Sequence, residues 1–542
     1  MRRYWKSGDP FVWLTGGALA ASLLMIFGLI ALILLNGLSQ FWPGDIVELR
    51  LKNGQTVLGE VWNRERIHQA DTKEGAAESF RIRVKIGNRD IYPLDFRWID
   101  EDDVEAKSHP REAIAIERTG WGNFYGYFKS LKVEGEVVAS DLRSAWPRIQ
   151  ELLEETSALH QRIAKIEKGQ IGDVNYQLEK LRLRIRTLQS SADSGRAEGE
   201  IVQLETQAQQ LQDRYETLER KLAALTASSS KYVVTMVTAD GVDKEVKLFD
   251  IVRMYRPNQM GLEHKSGLYV AKIWEFVSGE PRESNTEGGV FPAIFGTVMM
   301  VFLMSIAVVP LGVLAAIYLR EYAKQGALVQ LVRIAVNNLA GVPSIVYGVF
   351  GLGFFIYAIG GTIDQLFFAE RLPTPTFGTG GILWASLTLA LLTVPVVIIA
   401  TEEGLAAVPR EMREGSLALS ATKFETLWRI VIPSALPGIL TGLILAIARA
   451  AGEVAPLMIT GVVKLAPSLP LDKHFPFFHL ERKFMHLGFH IYDVGFQSPN
   501  VEAAIPMVYS TTLLLLLIVL LLNVAAIYVR NRLRKKLVFS VF

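Results

Sequence analysis

Six long apolar runs constrain this chain of 542 residues more than anything else in it. They lie at roughly 11–36, 291–319, 334–360, 381–400, 435–463 and 504–529, each near or above the ~20 residues a helix needs to cross a bilayer. The first run contains Ala18, Ala20 and Ala21, which imitate a signal cleavage site, but it stays apolar to Leu35. That is too long for a signal peptide, so an uncleaved anchor is expected. Arg2, Arg3 and Lys6 precede the first run. Arg320, Lys324 and Arg333 lie between the second and third, and Arg410, Arg413, Lys423 and Arg429 between the fourth and fifth. Arg530, Arg532, Arg534, Lys535 and Lys536 follow the sixth. If every run crosses, all four groups fall on one side, which the positive-inside rule makes cytoplasmic. The expectation is an inner-membrane, multi-pass protein with both termini cytoplasmic and the loops 37–290, 361–380 and 464–503 periplasmic.

Half the residues are apolar and a fifth are charged, and the net charge of +2 hides two regimes. The charge concentrates in residues 41–287, a periplasmic insertion between the anchor (1–40) and a membrane core (288–530), with a cytoplasmic tail at 531–542. Residues 46–61 and 80–99 alternate apolar and polar, and Lys52-Asn53-Gly54-Gln55 reads as a hairpin turn. Residues 231–256 and 268–277 read as strands too, so one β-rich domain closed from both sides of a helical excursion is expected. Within the excursion, Ile171, Val174, Leu178, Leu181, Ile185 and Leu188 keep a 3–4 spacing. So do Ile201, Leu204, Ala208, Leu211, Tyr215, Leu218, Leu222 and Leu225, after a turn at 190–195. Such seams predict an antiparallel coiled-coil hairpin over about 144–227, disturbed at Lys168-Gly169-Gln170-Ile171-Gly172 and reaching roughly 60 Å. Pairing between chains through the same seam is the alternative. The fold class is thus an all-α polytopic membrane protein with six spans and an inserted β-rich domain bearing this hairpin.

Residues 414–433, EGSLALSATKFETLWRIVIP, form a compact charged segment between two apolar runs, suited to docking a soluble partner. Its spacing resembles the EAA loop of ABC-importer permeases. Glu414 stands at the Glu, Gly415 and Ser416 at the two Ala, and Ser420 at the Gly, with Ile430 and Pro433 in register. Small residues at 415, 416 and 420 suggest close packing against a partner. The flanking stretches 340–355, 387–409 and 439–456 are similar to those of the PstA-type permease of the bacterial phosphate importer, closely over 288–530 and loosely over 1–40. The family usually has Thr after the Gly-Glu pair, where this chain has Val454. The resemblance implies an ABC type I permease core and phosphate as substrate. It implies three kinds of partner besides membrane lipid: a homologous second permease (PstC-like), PstB-like ATPase subunits and a periplasmic phosphate-binding protein. It says nothing of 41–287.

The chain has no G-x-x-x-x-G-K-[ST] loop, so ATP is expected to be used by partner subunits and no cofactor by this chain, a transporter subunit rather than an enzyme. It has no cysteine, which excludes disulfides, thiol catalysis and Cys-based metal sites. No basic patch with interleaved aromatics stands out along the chain, so nucleic acid is not an expected partner. His474, His479, His486 and His490 cluster, but no fixed carboxylate or Cys partner accompanies them, and metal is not expected. Arg449 and Glu453, four apart in the fifth run, are expected on one helix face. Charge inside a membrane helix persists where it faces a bundle interior or water path. Arg449 would offer a forked donor set to an oxyanion while Glu453 tunes it; a structural ion pair is the alternative. Gly452 and Pro456 would loosen the helix there. Asn337, Asn338, Ser344, Tyr347 and Thr393 are further lining candidates, or partners of backbone groups freed by Pro343 and Pro395. Two other readings stay open: a permease for another oxyanion, and a non-transporting membrane scaffold.

Overall fold

A computed structural model describes residues 8–67, 79–190, 194–498 and 501–538. Arg2, Arg3, Lys6 and residues 191–193 of the expected turn lie outside them. The chain divides into two compact units, Met1–Gln40 with Glu275–Phe542, and Phe41–Trp274.

In the first unit, six helices among the described residues are long and apolar enough to cross a membrane: Phe11–Ser39, Phe291–Tyr322, Ser344–Phe367, Ile382–Ala406, Lys423–Ala451 and Val501–Leu533. The fourth is the hub. It packs on the second and fifth, and its buried residues run from Ile382 to Leu405. Glycine permits the closest approach: a Cβ on Gly438 would stand 2.5 Å from Gly404 Cα, so the fourth and fifth spans meet backbone to backbone. The first span packs on the sixth, where Ser510 Oγ donates to the Gly37 carbonyl at 2.7 Å.

Two spans differ from the sequence reading. The third begins at Ser344, not near 334, because Ala327–Leu339 is a separate helix. Pro343 lacks an N–H and biases Val342 away from helical geometry, which ends one helix and caps the next. The fifth ends at Ala451; Gly452 caps it, Val454 is non-helical, and Pro456 starts the short helix Ala455–Thr460.

In the second unit, β1 (Ile46–Leu51), β2 (Thr56–Arg66), β3 (Phe80–Lys85), β4 (Phe96–Asp100) and β5 (Val104–Ser108) form an antiparallel sheet in the order β4-β3-β2-β1-β5. Gly54 takes φ +82° at the β1–β2 turn, a conformation nearly free of cost only for glycine. A second sheet joins β6 (Ile114–Arg118), β7 (Phe124–Val133) and β8 (Glu136–Ala139) to β9 (Tyr232–Val237), β10 (Asp243–Lys247) and β11 (Ile251–Tyr255). Its order is β10-β9-β7-β6-β11, with β8 beside β7, so strands from both sides of the excursion do close one sheet. Residues 268–277 are not a strand. They belong to the helix Leu262–Ser278, which buries Lys265 and Phe276 and sends the Lys265 and Lys272 amines to Asp45 and Glu117 at 2.5 and 2.6 Å. Its apolar run is too short for alternation to separate strand from helix.

The excursion starts with Leu142–Ala164, whose N-cap Asp141 accepts from Ser144 N at 3.1 Å. Ala145, Ile149 and Leu152 of this helix belong to the core of the second sheet. The helix widens into a π-turn at Lys165–Ile171, where the heptad seam is interrupted, and resumes as Gly172–Ser190. This last helix packs on Ser194–Ser228, burying Val174, Leu178 and Leu218 between them.

Candidate coupling segment and substrate path

The segment after the fourth span is a helix, a turn and a second helix. Arg410–Ala418 follows Pro409 and ends at Leu419. Ser420 then adopts φ +67°, the left-handed region. The turn requires that conformation, so the Gly that the EAA pattern carries here answers to backbone geometry. Thr422 caps the second helix: its hydroxyl accepts from Glu425 N at 3.2 Å, and the Glu425 carboxylate accepts from Thr422 N at 2.9 Å. This helix begins at Lys423 and runs through a π-turn at Leu427–Val431 into the fifth span. Ile430 and Pro433 are half-buried at that entry, beside Leu427 and Val431 in a core shared with Leu405, Val408 and Ile439.

Of the small residues, only Ser416 is packed. It is buried and shares a 2.9 Å hydrogen bond with Thr426 Oγ1, tying the two helices together. Glu414, Gly415 and Ser420 face outward, and a Cβ on Gly415 would meet nothing.

Arg413 was legible in sequence only as a basic residue. Its guanidinium donates to the Leu405 and Val408 carbonyls, both at 2.7 Å, and to Glu321 Oε1 at 3.1 Å. It thereby caps the fourth span and joins it to the end of the second. The Lys423 ammonium adds a bond to the Glu321 carbonyl. Arg333 braces the same level from the helix Ala327–Leu339, meeting Glu402 at 3.1 Å. Outward of this framework stand Leu417, Leu419, Phe424 and Trp428, all exposed, with the Phe424 and Trp428 rings nearly parallel at 6.2 Å. A rigid turn with an apolar exposed tip suits docking against a protein groove.

Arg449 sits in the last turn of the fifth helix and Glu453 lies past its end, so the two do not share a continuous helix face. Arg449 Nε is 3.9 Å from Glu453 Oε1, with the side chains 35% and 20% exposed. Tyr347 is buried within electrostatic reach of Arg449, and its hydroxyl donates to the Leu339 carbonyl at 2.6 Å. Ser344 is half-buried one turn earlier. The helix Ser344–Phe350 packs tightly on Ala455–Thr460: a Cβ on Gly348 would stand 2.8 Å from Pro456 Cα. Arg449, Glu453 and Tyr347 are therefore brought together at the helix break. Thr393 is fully buried in the hub, and its hydroxyl is spent on the Leu389 carbonyl at 2.8 Å. Asn337 and Asn338 are exposed on the separate helix.

The histidines do not converge on a shared site. His479 lies between Asp472 and Glu481 at 2.9 and 3.2 Å. His486 caps the short helix Leu487–Tyr492, and His490 lies within that helix, near Thr511. Among the described residues no group of three or more His, Asp or Glu side chains is arranged to hold a metal. The carbonyls of Leu480 and Arg482 instead receive the Leu383 and Ile382 N–H groups at 3.0 and 2.9 Å, satisfying the start of the fourth span.

Residues 308–538 match the family model described as binding-protein-dependent transport system inner membrane component. Over 185 residues the chain is 40% identical to the phosphate transport system permease protein PstA 1 of Mycobacterium tuberculosis H37Rv, covering 34% of this chain and 54% of that protein. It is 35% identical over 187 residues to the phosphate transport system permease protein PstA of Yersinia pestis, covering 34% and 57%. Over 237 residues it is 29% identical to the probable ABC transporter permease protein YqgI of Bacillus subtilis, covering 42% and 74%. The chain spans about half the length of the first of these curated relatives. Residues 308–538 are thus similar to binding-protein-dependent transport system inner membrane components, and the stretches shared with the two PstA proteins amount to about a third of this chain.

Proposed function

We propose that this chain is a transmembrane subunit of an ATP-driven phosphate importer. It works beside a PstC-like second permease, with PstB-like ATPases on the cytoplasmic side and a periplasmic binding protein that delivers phosphate. The observation that carries this reading is the coupling turn. Arg413 fastens residues 410–433 to the ends of two spans, while Leu417, Leu419, Phe424 and Trp428 are left exposed. Motion of a docked ATPase would pass through that fastening into the fourth and fifth spans. The positive-inside rule supports placing this turn and both termini in the cytoplasm and residues 41–287 in the periplasm. The packed helices 172–190 and 194–228 then act as an antiparallel coiled-coil hairpin for capture or reach.

Arg449 is the proposed oxyanion ligand, presented at the break between the fifth span and Ala455–Thr460. Its planar fork suits a phosphate, and Glu453 keeps the fork oriented. Alternating access would open and close this break. The test is uptake of labelled phosphate by membranes holding the complete complex. Arg449→Met should abolish uptake at normal protein level, and Arg449→Lys should restore little of it. Competition by sulfate and arsenate separates phosphate from another oxyanion. Full uptake with Met at 449 refutes the pore role, and absence of any uptake by the intact complex favours the scaffold reading.

A further inference from the structure

We propose that the outer face of the first sheet, on β2–β4, binds a linear polyanion, specifically a phosphodiester-linked polyol chain. Side chains alternate across a strand, so with Ile82, Val84 and Ile99 in the core, Arg81, Arg83 and Lys85 fall on the opposite face. Pairing of β3 with β4 sets Arg83 opposite Trp98 and Lys85 opposite Phe96. The Arg81 guanidinium lies 4.5 Å from the Trp98 ring centre, and that of Arg83 lies 5.1 Å from Phe96 and 5.6 Å from Trp98. The Lys85 ammonium is 5.4 Å from Trp62, which packs edge-on against Phe96 at 5.3 Å. Residues scattered from 62 to 98 thus form a basic, aromatic surface that no contiguous stretch of the sequence contains.

Stability alone accounts for part of this, since an exposed cation–π contact is weakly favourable. It does not account for the charge. Arg81 has a carboxylate partner, Glu65, at 3.0 Å. Among the described residues Arg83 has none, and its Nε is buried without a hydrogen bond. The rings act as pedestals. With cations on their faces they are poorly placed to stack on a base or sugar, but they hold each guanidinium with its N–H edge available to an anion. The geometry of the row selects the ligand. The strand positions that carry these cations repeat at about 6.8 Å along the backbone, close to an extended phosphodiester-linked three-carbon polyol and unlike a single headgroup.

The test uses the purified full chain in detergent, titrated with poly(glycerol phosphate) and followed by tryptophan fluorescence and calorimetry. Binding should weaken steeply with salt. Joint Arg81→Gln and Arg83→Gln substitution should lower affinity at least about tenfold, about 1.4 kcal/mol, while the chain stays folded by limited proteolysis. Glu65→Gln, which frees Arg81 and removes no cation, should tighten binding. No binding at low salt, or equal binding by the Arg variants and by Glu65→Gln, overturns the proposal. So does equal affinity for single-stranded DNA, which would show charge alone acting. Displacement by an equal phosphate concentration of inorganic phosphate overturns it as well.

Discussion

Replacing Arg413 by Ala should uncouple ATP hydrolysis from transport. Its side chain is 20% exposed and its partner Glu321 13% exposed, so the three bonds it makes are poorly replaced by water. Two of its acceptors, Leu405 and Val408, are carbonyls at and just past the C-terminal end of the fourth span, where the regular helical ladder has run out and Pro409 has no N–H to give Leu405. A hydrogen bond to a charged group contributes roughly 1.5–3 kcal/mol. Allowing for partial exposure, losing all three should cost the docked turn about 3–5 kcal/mol. At about 1.4 kcal/mol per tenfold, the ordered turn falls in population by on the order of a hundredfold or more. Membrane insertion should survive, because the apolar spans are untouched. The assay is the ratio of ATP hydrolysed to phosphate taken up, in proteoliposomes holding the reconstituted complex. Hydrolysis should persist while uptake collapses, and Arg413→Lys should be intermediate because one ammonium cannot serve three divergent acceptors. An unchanged coupling ratio in Arg413→Ala would refute the fastening role.

At Ser420, Gly should be tolerated or stabilise by up to ~1 kcal/mol, whereas Val should lose stability and uptake, since a left-handed β-branched residue costs about 1–2 kcal/mol or more; equal melting temperatures for the two variants would contradict this. Replacing residues 166–222 by a Gly-Ser linker should leave the second sheet folded and weaken uptake only at low phosphate. A cut at 146–227 should unfold that sheet, since it removes Ile149 and Leu152, each fully buried and worth about 1.5–3 kcal/mol; limited proteolysis distinguishes the two. Burial pushes the His486 imidazole down to about 3; it also pushes His490 down, to about 4, against the opposing pull of the Asp493 carboxylate. Both folded values lie below the unfolded one near 6.5, so this stability is present above that pH and is lost as pH falls through it toward 3–4. Each should cost about 2 kcal/mol at pH 5, and a melting temperature flat between pH 7.5 and 5 would refute the assignment.

Legibility in the sequence followed the range of the forces involved. The spans were readable because hydropathy is local, and four of the six starts fall close to expectation; the fifth helix starts earlier, at Lys423, because its first turns are polar enough to hide from hydropathy. The third start was misplaced because an apolar helix, Ala327–Leu339, precedes the span and only the short turn 340–343, closed by Pro343, separates them. Strands in residues 46–61, 80–99 and 231–256 showed their period, while 268–277 was too short and too apolar to choose between periods. Strands β5 to β8 passed unread because their burial alternates weakly; β8, for example, is largely exposed. The EAA-like spacing located the helix-turn-helix at 410–433, but only the folded structure reveals that Ser420 sits at a left-handed backbone position and that Arg413, the residue before the motif, bonds this segment to the ends of two spans. The cation–aromatic face was invisible for a similar reason. It exists only once β2, β3 and β4 are paired in register.

The geometry at Arg449 bears on which of its two readings is physically economical. A structural ion pair in a low-dielectric interior offsets its desolvation only if contact is close and the remaining donors are satisfied. Here the nearest approach is 3.9 Å, beyond hydrogen-bonding distance, and a third of the Arg449 side chain is exposed. Glu453 has moreover left the helix that carries Arg449, so the pair spans a joint and cannot brace a single rod. A guanidinium with spare donors, beside a helix break, is costly as a brace and well suited to a ligand that supplies the missing acceptors. The break, more than either charged residue alone, is therefore what favours the ligand reading of Arg449 over the brace.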